Sequence, residues 1–341
     1  MNTVRRTVGR RAAALCCATA ATFAMTACSD DTASTAEHPN GLETSQIRIT
    51  NPANISNVPL HIALDGGYFA DEGLDVQADI DLGAGSTVEA VIGNQVDMAW
   101  VNLGGALQPY SEGIDLRLVQ ISDHGKPGGM EVLVKQDSPA QTLTDLTGKT
   151  LAVLSPSTTC VWLVKKALLD AGQPVDAITM TEVSPPDHPV VLESGNVDAT
   201  CTTDPTRTMM TSEFGARPIF DAATDGVPEL RSYPVGGYVV SGGFAEQNPK
   251  ALAAFQRALT KAAAYANSHP DEVRAKLSTF TTADPEIADQ VVINEYVETS
   301  DMGSLTQEVQ KVAEVMVETG VLGDVPDING FVLQTADTDG A

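Results

Sequence analysis

The spacing of apolar residues along the chain predicts strands that alternate with helices. Leu74–Ile80 alternates apolar and polar side chains, as in a half-buried strand, and Leu151–Leu154 is a short apolar run typical of a buried strand. Helices are predicted at Pro59–Leu64, after Ser86 and at Val161–Ala171. Further strands are predicted at 47–50, 96–101, 116–121, 131–135, 178–183, 197–201 and 233–240. This alternation predicts βαβ units, mostly parallel sheets and an α/β fold.

The last hundred residues carry the spacing of amphipathic helices. In the first helix, Leu252, Phe255, Leu259 and Ala263 share one face, and the pattern stops before Pro270. The same spacing returns in a second helix that ends at Gly320, and its apolar positions are Leu305, Val309, Val312, Met316 and Val317. Both apolar stripes are predicted to lie in the core.

The first 27 residues have the pattern of an export signal. Four arginines precede an apolar run at 12–24, which is shorter than the roughly 20 residues that a membrane-spanning helix needs. Met25–Cys28 resembles a bacterial lipobox, so residues 1–27 are predicted to be removed and Cys28 to be lipidated. An ordinary secretory signal with an incidental cysteine is the alternative, and the pair Arg10–Arg11 leaves the export route open.

Residues 28–45 are polar and small, which predicts a flexible tether behind the anchor. Two acyl chains on Cys28 would suffice for stable attachment. The protein is therefore expected to be extracytoplasmic and lipid-anchored to the cell membrane.

The charge of the chain excludes one class of partner. The 341 residues include 45 Asp and Glu against 20 Lys and Arg, a formal charge of −25, and the body after residue 27 carries −29. Phosphate backbones repel such a body, which argues against nucleic-acid binding. Since 43% of the residues are apolar and only 19% are charged, the chain is predicted to fold, and its length suggests two domains.

Five local stretches carry a family resemblance. Gly66–Val76, Val91–Asp97, Leu143–Val153, Leu192–Ala199 and Ser268–Val273 resemble, in order, passages of the substrate-binding proteins of ABC importers. The group in question takes up nitrate, alkanesulfonates, taurine and thiamine-precursor pyrimidines. The resemblance covers residues 47 to about 280.

The resemblance implies a two-lobed periplasmic-binding-protein-like fold with a ligand cleft between the lobes. Lobe I would take residues 47–127 plus 240–335, and lobe II residues 128–239. The expected function is capture of a small anionic or zwitterionic solute, such as a sulfonate, nitrate or taurine, by lobe closure and delivery to an ABC permease. A monomer without cofactor or metal is expected. A thiamine-precursor pyrimidine as ligand, or an enzyme or sensor module with the same cleft, is the alternative.

Ligand residues are expected where strands end and helices begin. Ser157, Thr158 and Thr159 precede one helix, and Ser86 and Thr87 another, so that backbone N–H groups and hydroxyls could bind an anion. In the family the matching serine or threonine loop contributes to the site. The alternative is that these hydroxyls only cap the helices.

Four other residues complete the predicted site: Asn51, Asn102, Asp204 and Tyr238. Asn51 and Asn102 follow strands, and Asn102 is either a ligand contact or a turn residue. Asp204 either accepts a ligand amine or pairs with Arg207. Tyr238 is either an aromatic wall of the cleft or a core residue.

The cysteines and histidines argue for a binding protein rather than an enzyme. If Cys28 is lipidated, Cys160 and Cys201 are left as one pair, which we expect to be a disulfide in an oxidising compartment; two separate thiols are the alternative. The five histidines are scattered, without the spacing of metal ligands. The chain has no nucleophile elbow, phosphate-binding loop or dinucleotide fingerprint.

Overall fold

A computed structural model describes residues 41–78, 87–281, 283–298 and 301–334, and within these ranges eleven strands form two sheets. The first sheet contains β1 Gln46–Thr50, β2 Asp75–Gln77, β3 Met98–Asn102, β4 Leu116–His124, β10 Pro234–Ser241 and β11 Glu295–Tyr296. The second sheet contains β5 Met130–Val134, β6 Thr150–Val153, β7 Thr179–Glu182, β8 Ala199–Thr203 and β9 Arg217–Asp221. The strand orders are β11-β4-β10-β3-β1-β2 and β7-β6-β8-β5-β9.

Each sheet combines a parallel part with antiparallel strands. In the first sheet β1 runs parallel to β2 and β3, and in the second β6 runs parallel to β7 and β8. β10 and β5, in contrast, are antiparallel to their neighbours. β5 and β10 are each the first strand after the chain has crossed from the other sheet. Each of them runs opposite to the parallel strands of the sheet that it joins. The prediction of mostly parallel sheets is therefore wrong, although the α/β class is confirmed.

Twelve α-helices are described alongside these strands within the same ranges, together with short 3₁₀ turns. They are α1 Val58–Asp65, α2 Tyr68–Asp71, α3 Thr87–Ile92, α4 Leu103–Ser111, α5 Thr159–Asp170, α6 His188–Glu193, α7 Thr206–Ser212, α8 Gly242–Gln247, α9 Pro249–Ser268, α10 Pro270–Phe280, α11 Met302–Glu318 and α12 Ile328–Phe331. None of these described helices is both long enough and apolar enough to cross a membrane.

The two predicted amphipathic helices are confirmed as α9 and α11. Leu252, Phe255 and Leu259 of α9 are buried, and the ring of Phe255 lies 5.1 Å from that of Phe69 and 5.5 Å from that of Tyr238. In α11, Leu305, Val309, Val312 and Met316 are buried, whereas Val317 is only partly buried. Gly320 follows α11 with φ +68°, the left-handed conformation expected after a helix end.

Two elements near the predicted site were not expected from the sequence. Gly104 and Gly105 lie in the first turn of α4, where the pattern suggested only the end of a strand. β9 contains Pro218 in its second position and forms the edge of the second sheet, where a missing N–H is tolerated. The chain passes between the sheets after His124 and again between Asp221 and Pro234.

Candidate functional site

The predicted polar residues follow the carboxyl ends of parallel strands in both sheets. Asn51 comes directly after β1 and Asn102 ends β3, which is the parallel neighbour of β1. In the second sheet the loop with Ser157 follows β6, and Asp204 follows the neighbouring strand β8. Loops after adjacent parallel strands emerge at the same edge of a sheet, which is where α/β folds bind ligands.

The loop before α5 lies directly against the first turn of α4. A Cβ atom added to Gly104 would be 1.9 Å from the carbonyl oxygen of Ser157, so the two backbones touch. The hydroxyl of Thr159 donates to the carbonyl oxygen of Val235 in β10 at 3.4 Å. The structure therefore brings the Asn102 loop of the first sheet and the Ser157–Thr159 loop of the second sheet together.

Ser157, Thr158 and Thr159 are buried, with 8%, 6% and 2% of their surface exposed. Thr158 is the N-cap residue of α5, but its side chain makes no capping hydrogen bond. Its hydroxyl instead donates to the carbonyl oxygen of Ser155 at 3.1 Å. Thr158 therefore does not cap α5 with its side chain. The backbone N–H groups at the start of α5 donate no hydrogen bond to the side chain of the N-cap residue.

Asn102 is the N-cap residue of α4. Its Oδ1 accepts a hydrogen bond from the backbone N–H of Gly105 at 2.8 Å. This bond fixes the direction in which the chain leaves β3 and enters the helix. The residue therefore has a structural role at the edge of the site.

Asp204 has the most complete set of partners among the predicted residues. Its side chain has no exposed surface, and it pairs with Arg207 at 3.0 Å. Its two carboxylate oxygens also accept the backbone N–H groups of Thr208 at 3.0 Å and Val292 at 2.8 Å. Of the two alternatives, the structure shows the pair with Arg207.

Glu131 of β5 lies beside this pair, with its carboxylate 3.8 Å from Nε of Arg207. Burial raises the pKa of Glu131 to about 7, although the charge of Arg207 acts in the opposite direction. Asp221 and Asp204 raise it further. The site therefore holds a carboxyl group that titrates near neutral pH.

A second buried carboxylate, Asp123, lies in the segment 122–125 that follows a predicted strand, but it was not singled out as a site residue. It accepts hydrogen bonds from the hydroxyls of Ser56 at 2.8 Å and Ser122 at 2.5 Å, and from the amide of Asn294 at 2.5 Å. Burial raises the pKa of the Asp123 carboxyl group above its ordinary value, although the hydrogen bonds from the three donors act in the opposite direction. An acidic residue at the end of the apolar strand β4 was the available signal in the sequence.

The remaining predicted residues lie in different surroundings. Tyr238 is fully buried, and its hydroxyl donates to Oδ1 of Asn57 at 2.9 Å, so the structure places it in the core. Asn51 and Thr87 are partly exposed, and Thr87 is the first residue of α3. Ser86 and Cys28 lie outside the described residues.

The predicted disulfide between Cys160 and Cys201 is confirmed. Cys160 is the second residue of α5 and directly follows Thr159, and Cys201 lies in β8 three residues before Asp204. Both cysteines are buried. The bridge thus ties the two ligand loops predicted in the second sheet to each other.

Two surface cavities of about 300 and 240 Å³ lie beside α10, and neither is lined by a predicted ligand residue. Within the described ranges, no group of three or more His, Cys, Asp or Glu side chains could hold a metal ion.

A family model described as NMT1/THI5 like matches residues 54–273. A protein of Bacillus subtilis (strain 168) named for the binding of aliphatic sulfonates is 25% identical over 254 residues, which cover 73% of this chain and 74% of the relative.

Two solved structures share the fold. The periplasmic aliphatic sulphonate binding protein SsuA of Escherichia coli has a TM-score of 0.69 at 19% identity, covering 87% of this chain and 95% of its own. The periplasmic nitrate-binding protein NrtA of Synechocystis PCC 6803 has a TM-score of 0.68 at 16% identity, covering 85% and 86%.

Proposed function

The chain belongs to the NMT1/THI5-like family, and we propose that it is the extracytoplasmic solute-binding component of an ABC importer. The solute is a small anion or zwitterion, of the sulfonate, nitrate or taurine kind. The names of its relatives support this proposal, since they refer to sulfonates and nitrate. The protein binds and releases the solute without altering it.

One observation carries the site. The buried hydroxyl loop Ser157–Thr159 at the start of α5 lies against the first turn of α4. α4 follows β3, a strand of the other sheet. Helix N–H groups and hydroxyls bind anionic oxygens without needing a lysine. The solute is held where these two segments meet, with Ser157 and Thr158 as its main side-chain partners.

The chain forms two lobes that close around the solute. Lobe I comprises residues 47–127 plus 240–335 and lobe II residues 128–239. Lobe II contains the whole second sheet, lobe I contains most of the first, and β10 spans the boundary at 239/240. A lipid on Cys28 and the tether 28–45 keep the protein at the membrane near its permease. Replacement of Cys28 by serine should release the protein into the medium or periplasm, which fractionation would detect.

Calorimetric titration with nitrate, an alkanesulfonate, taurine and a thiamine-precursor pyrimidine tests the function. At least one of the first three should bind, and chromatography should recover it unchanged. Ser157→Ala and Thr158→Ala should each lower the affinity for that solute by roughly 5- to 10-fold, the effect of losing one hydrogen bond.

Ser184→Ala is a matched control, because Ser184 also precedes a helical turn without capping it but is exposed. Wild-type affinity in both site variants would refute the placement of the site. Conversion of the solute would refute the assignment as a binding protein.

A further inference from the structure

Residues 284–294 form a segment, here called the strap, that lies in predicted lobe I and contacts predicted lobe II. The strap contains a turn of 3₁₀-helix at Pro285–Gln290 and then an extended stretch that leads into β11. Its position in the sequence assigns it to lobe I. Its contacts reach both lobes.

The lobe I end of the strap is firmly attached. Ile287 and Val291 are buried, and Val291 packs in a hydrophobic cluster with Val273 and Leu277 of α10. Nη1 of Arg274, also in α10, donates to the carbonyl oxygen of Val291 at 2.6 Å. The strap is therefore a fixed part of lobe I rather than a loose loop.

The other side of the strap contacts lobe II through Asp204 and the start of α7. The backbone N–H of Val292 donates to Oδ2 of Asp204 at 2.8 Å. The hydroxyl of Thr208 donates to the carbonyl oxygen of Gln290 at 3.3 Å, and Nη2 of Arg207 reaches the same oxygen at 3.5 Å. The Asp204 carboxylate is the only charged group in these contacts whose side chain has no exposed surface.

We propose that Asp204 is a positioning residue for lobe closure, which holds the strap of lobe I and does not touch the solute. This proposal rests on the proposed function. The backbone N–H of Val292 supplies one of the donors that compensate the buried carboxylate, and opening the lobes removes it. The bond is thus made only in the closed state, and it raises the affinity for any solute by raising the population of that state.

The competing role, acceptance of a ligand amine, predicts a different pattern of affinities. An amine acceptor discriminates between solutes with and without an amino group. A closure residue affects both equally, since it changes the closing equilibrium and not the contact with the solute. The pair 2-aminoethanesulfonate and ethanesulfonate differs only in this group.

Two variants weaken or remove the bond from opposite sides. Asp204→Asn removes the charge, and Val292→Pro removes the N–H donor without changing any side chain of the solute site. Val291 has φ −66° and ψ 128°, which a residue before proline can adopt. Val292→Ala keeps the N–H and is the matched control, and thermal unfolding shows whether each variant folds.

Each of D204N and V292P should lower the affinities for 2-aminoethanesulfonate and for ethanesulfonate by equal factors. The expected loss is roughly 10- to 100-fold, the effect of a hydrogen bond to a charged group. The double variant should lose little more than either single one. A loss confined to 2-aminoethanesulfonate in D204N, or wild-type affinity in V292P, would overturn the proposal.

A measurement without solute separates this proposal from the proposed function. The bond needs no solute, so small-angle X-ray scattering of the solute-free proteins should give a larger radius of gyration for D204N and V292P than for wild type and V292A. Equal radii in all four would overturn the closure role. Failure of wild type to bind any sulfonate or nitrate, with the scattering difference present, would reject the proposed function alone.

Discussion

At the scale of single residues, Glu131 makes stability depend on pH. Burial raises the pKa of its carboxyl group to about 7, above the ordinary value of 4.5. Between these two values the folded state binds more protons than the unfolded state, so the free energy of unfolding falls as the pH rises. Above pH 7 the free energy of unfolding is lowered by up to about 3 kcal/mol, since one pKa unit corresponds to about 1.4 kcal/mol.

Glu131→Gln should therefore flatten this dependence. The free energy of unfolding in urea, measured at pH 4.5 and pH 8 for both proteins, should favour the variant at pH 8 by up to about 3 kcal/mol more than at pH 4.5. Glu182→Gln, at an exposed position of β7, is the control and should leave the difference between the two pH values unchanged. An equal change at both pH values would show that Glu131 does not titrate as a buried acid.

The residues near the site were predictable to different degrees, for physical reasons. Ser157–Thr159 were predicted because a hydroxyl-rich loop between a strand and a helix is a local pattern, and their contact with a solute stays a prediction. The pairing of Asp204 with Arg207 is also local, three residues apart. The buried hydrogen-bonding role of Asp123 was not predicted, because its partners Ser56 and Asn294 are 67 and 171 residues away in the sequence and only the fold brings them together.

At the scale of elements, the disulfide fastens α5 to β8. It closes a loop between residues 41 positions apart, which restricts the unfolded chain. It also holds the first turn of α5, next to Ser157–Thr159, against the strand that leads to Asp204. The bridge should therefore contribute both to stability and to the geometry of the site.

Replacement of both cysteines by alanine should lower the free energy of unfolding by about 2–4 kcal/mol. Affinity for the solute should fall as well, because the start of α5 is no longer fixed. Urea unfolding and calorimetric titration measure the two effects. Wild type treated with a dithiol reductant should behave like the double variant, and unchanged stability on reduction would contradict this account.

Elements with a strong local pattern were predicted well, and those defined by long-range pairing were not. The core helices α9 and α11 have clear apolar stripes, and β6 is a plain apolar run. α4 was missed because two glycines in its first turn look like a break, yet Asn102 caps that turn. The direction of β5 and β10 depends on which sheet the chain has just left, and no local pattern contains that information.

At the scale of the whole molecule, Gly104→Ala tests the proposed lobe closure, because the added methyl group favours helix α4 but crowds the contact between the two sheets. The contact of Gly104 with the carbonyl oxygen of Ser157 joins α4, which follows a strand of the first sheet, to the loop before α5, which follows a strand of the second. In the proposed function these two segments belong to different lobes. Gly104 has no left-handed φ, so alanine fits its helical backbone and should favour α4 by up to about 1 kcal/mol. The added methyl group, however, would overlap the Ser157 oxygen, since its Cβ would lie 1.9 Å away.

If the lobes are hinged, Gly104→Ala keeps them apart. Within proposed lobe I the added Cβ lies 3.2 Å from Cε of Met316, the flexible end of a side chain that can shift. Solute affinity in calorimetric titration should then fall by more than about 10-fold, a cost above roughly 1.4 kcal/mol, while solute-free thermal stability stays near that of wild type. Gly243→Ala is the control, because Gly243 lies in the first turn of α8 with no atom closer than 4.0 Å to an added Cβ. It should leave affinity unchanged. If G104A instead loses several kcal/mol of stability without solute, the overlap cannot be relieved by opening, and the two sheets share one rigid core rather than a hinge.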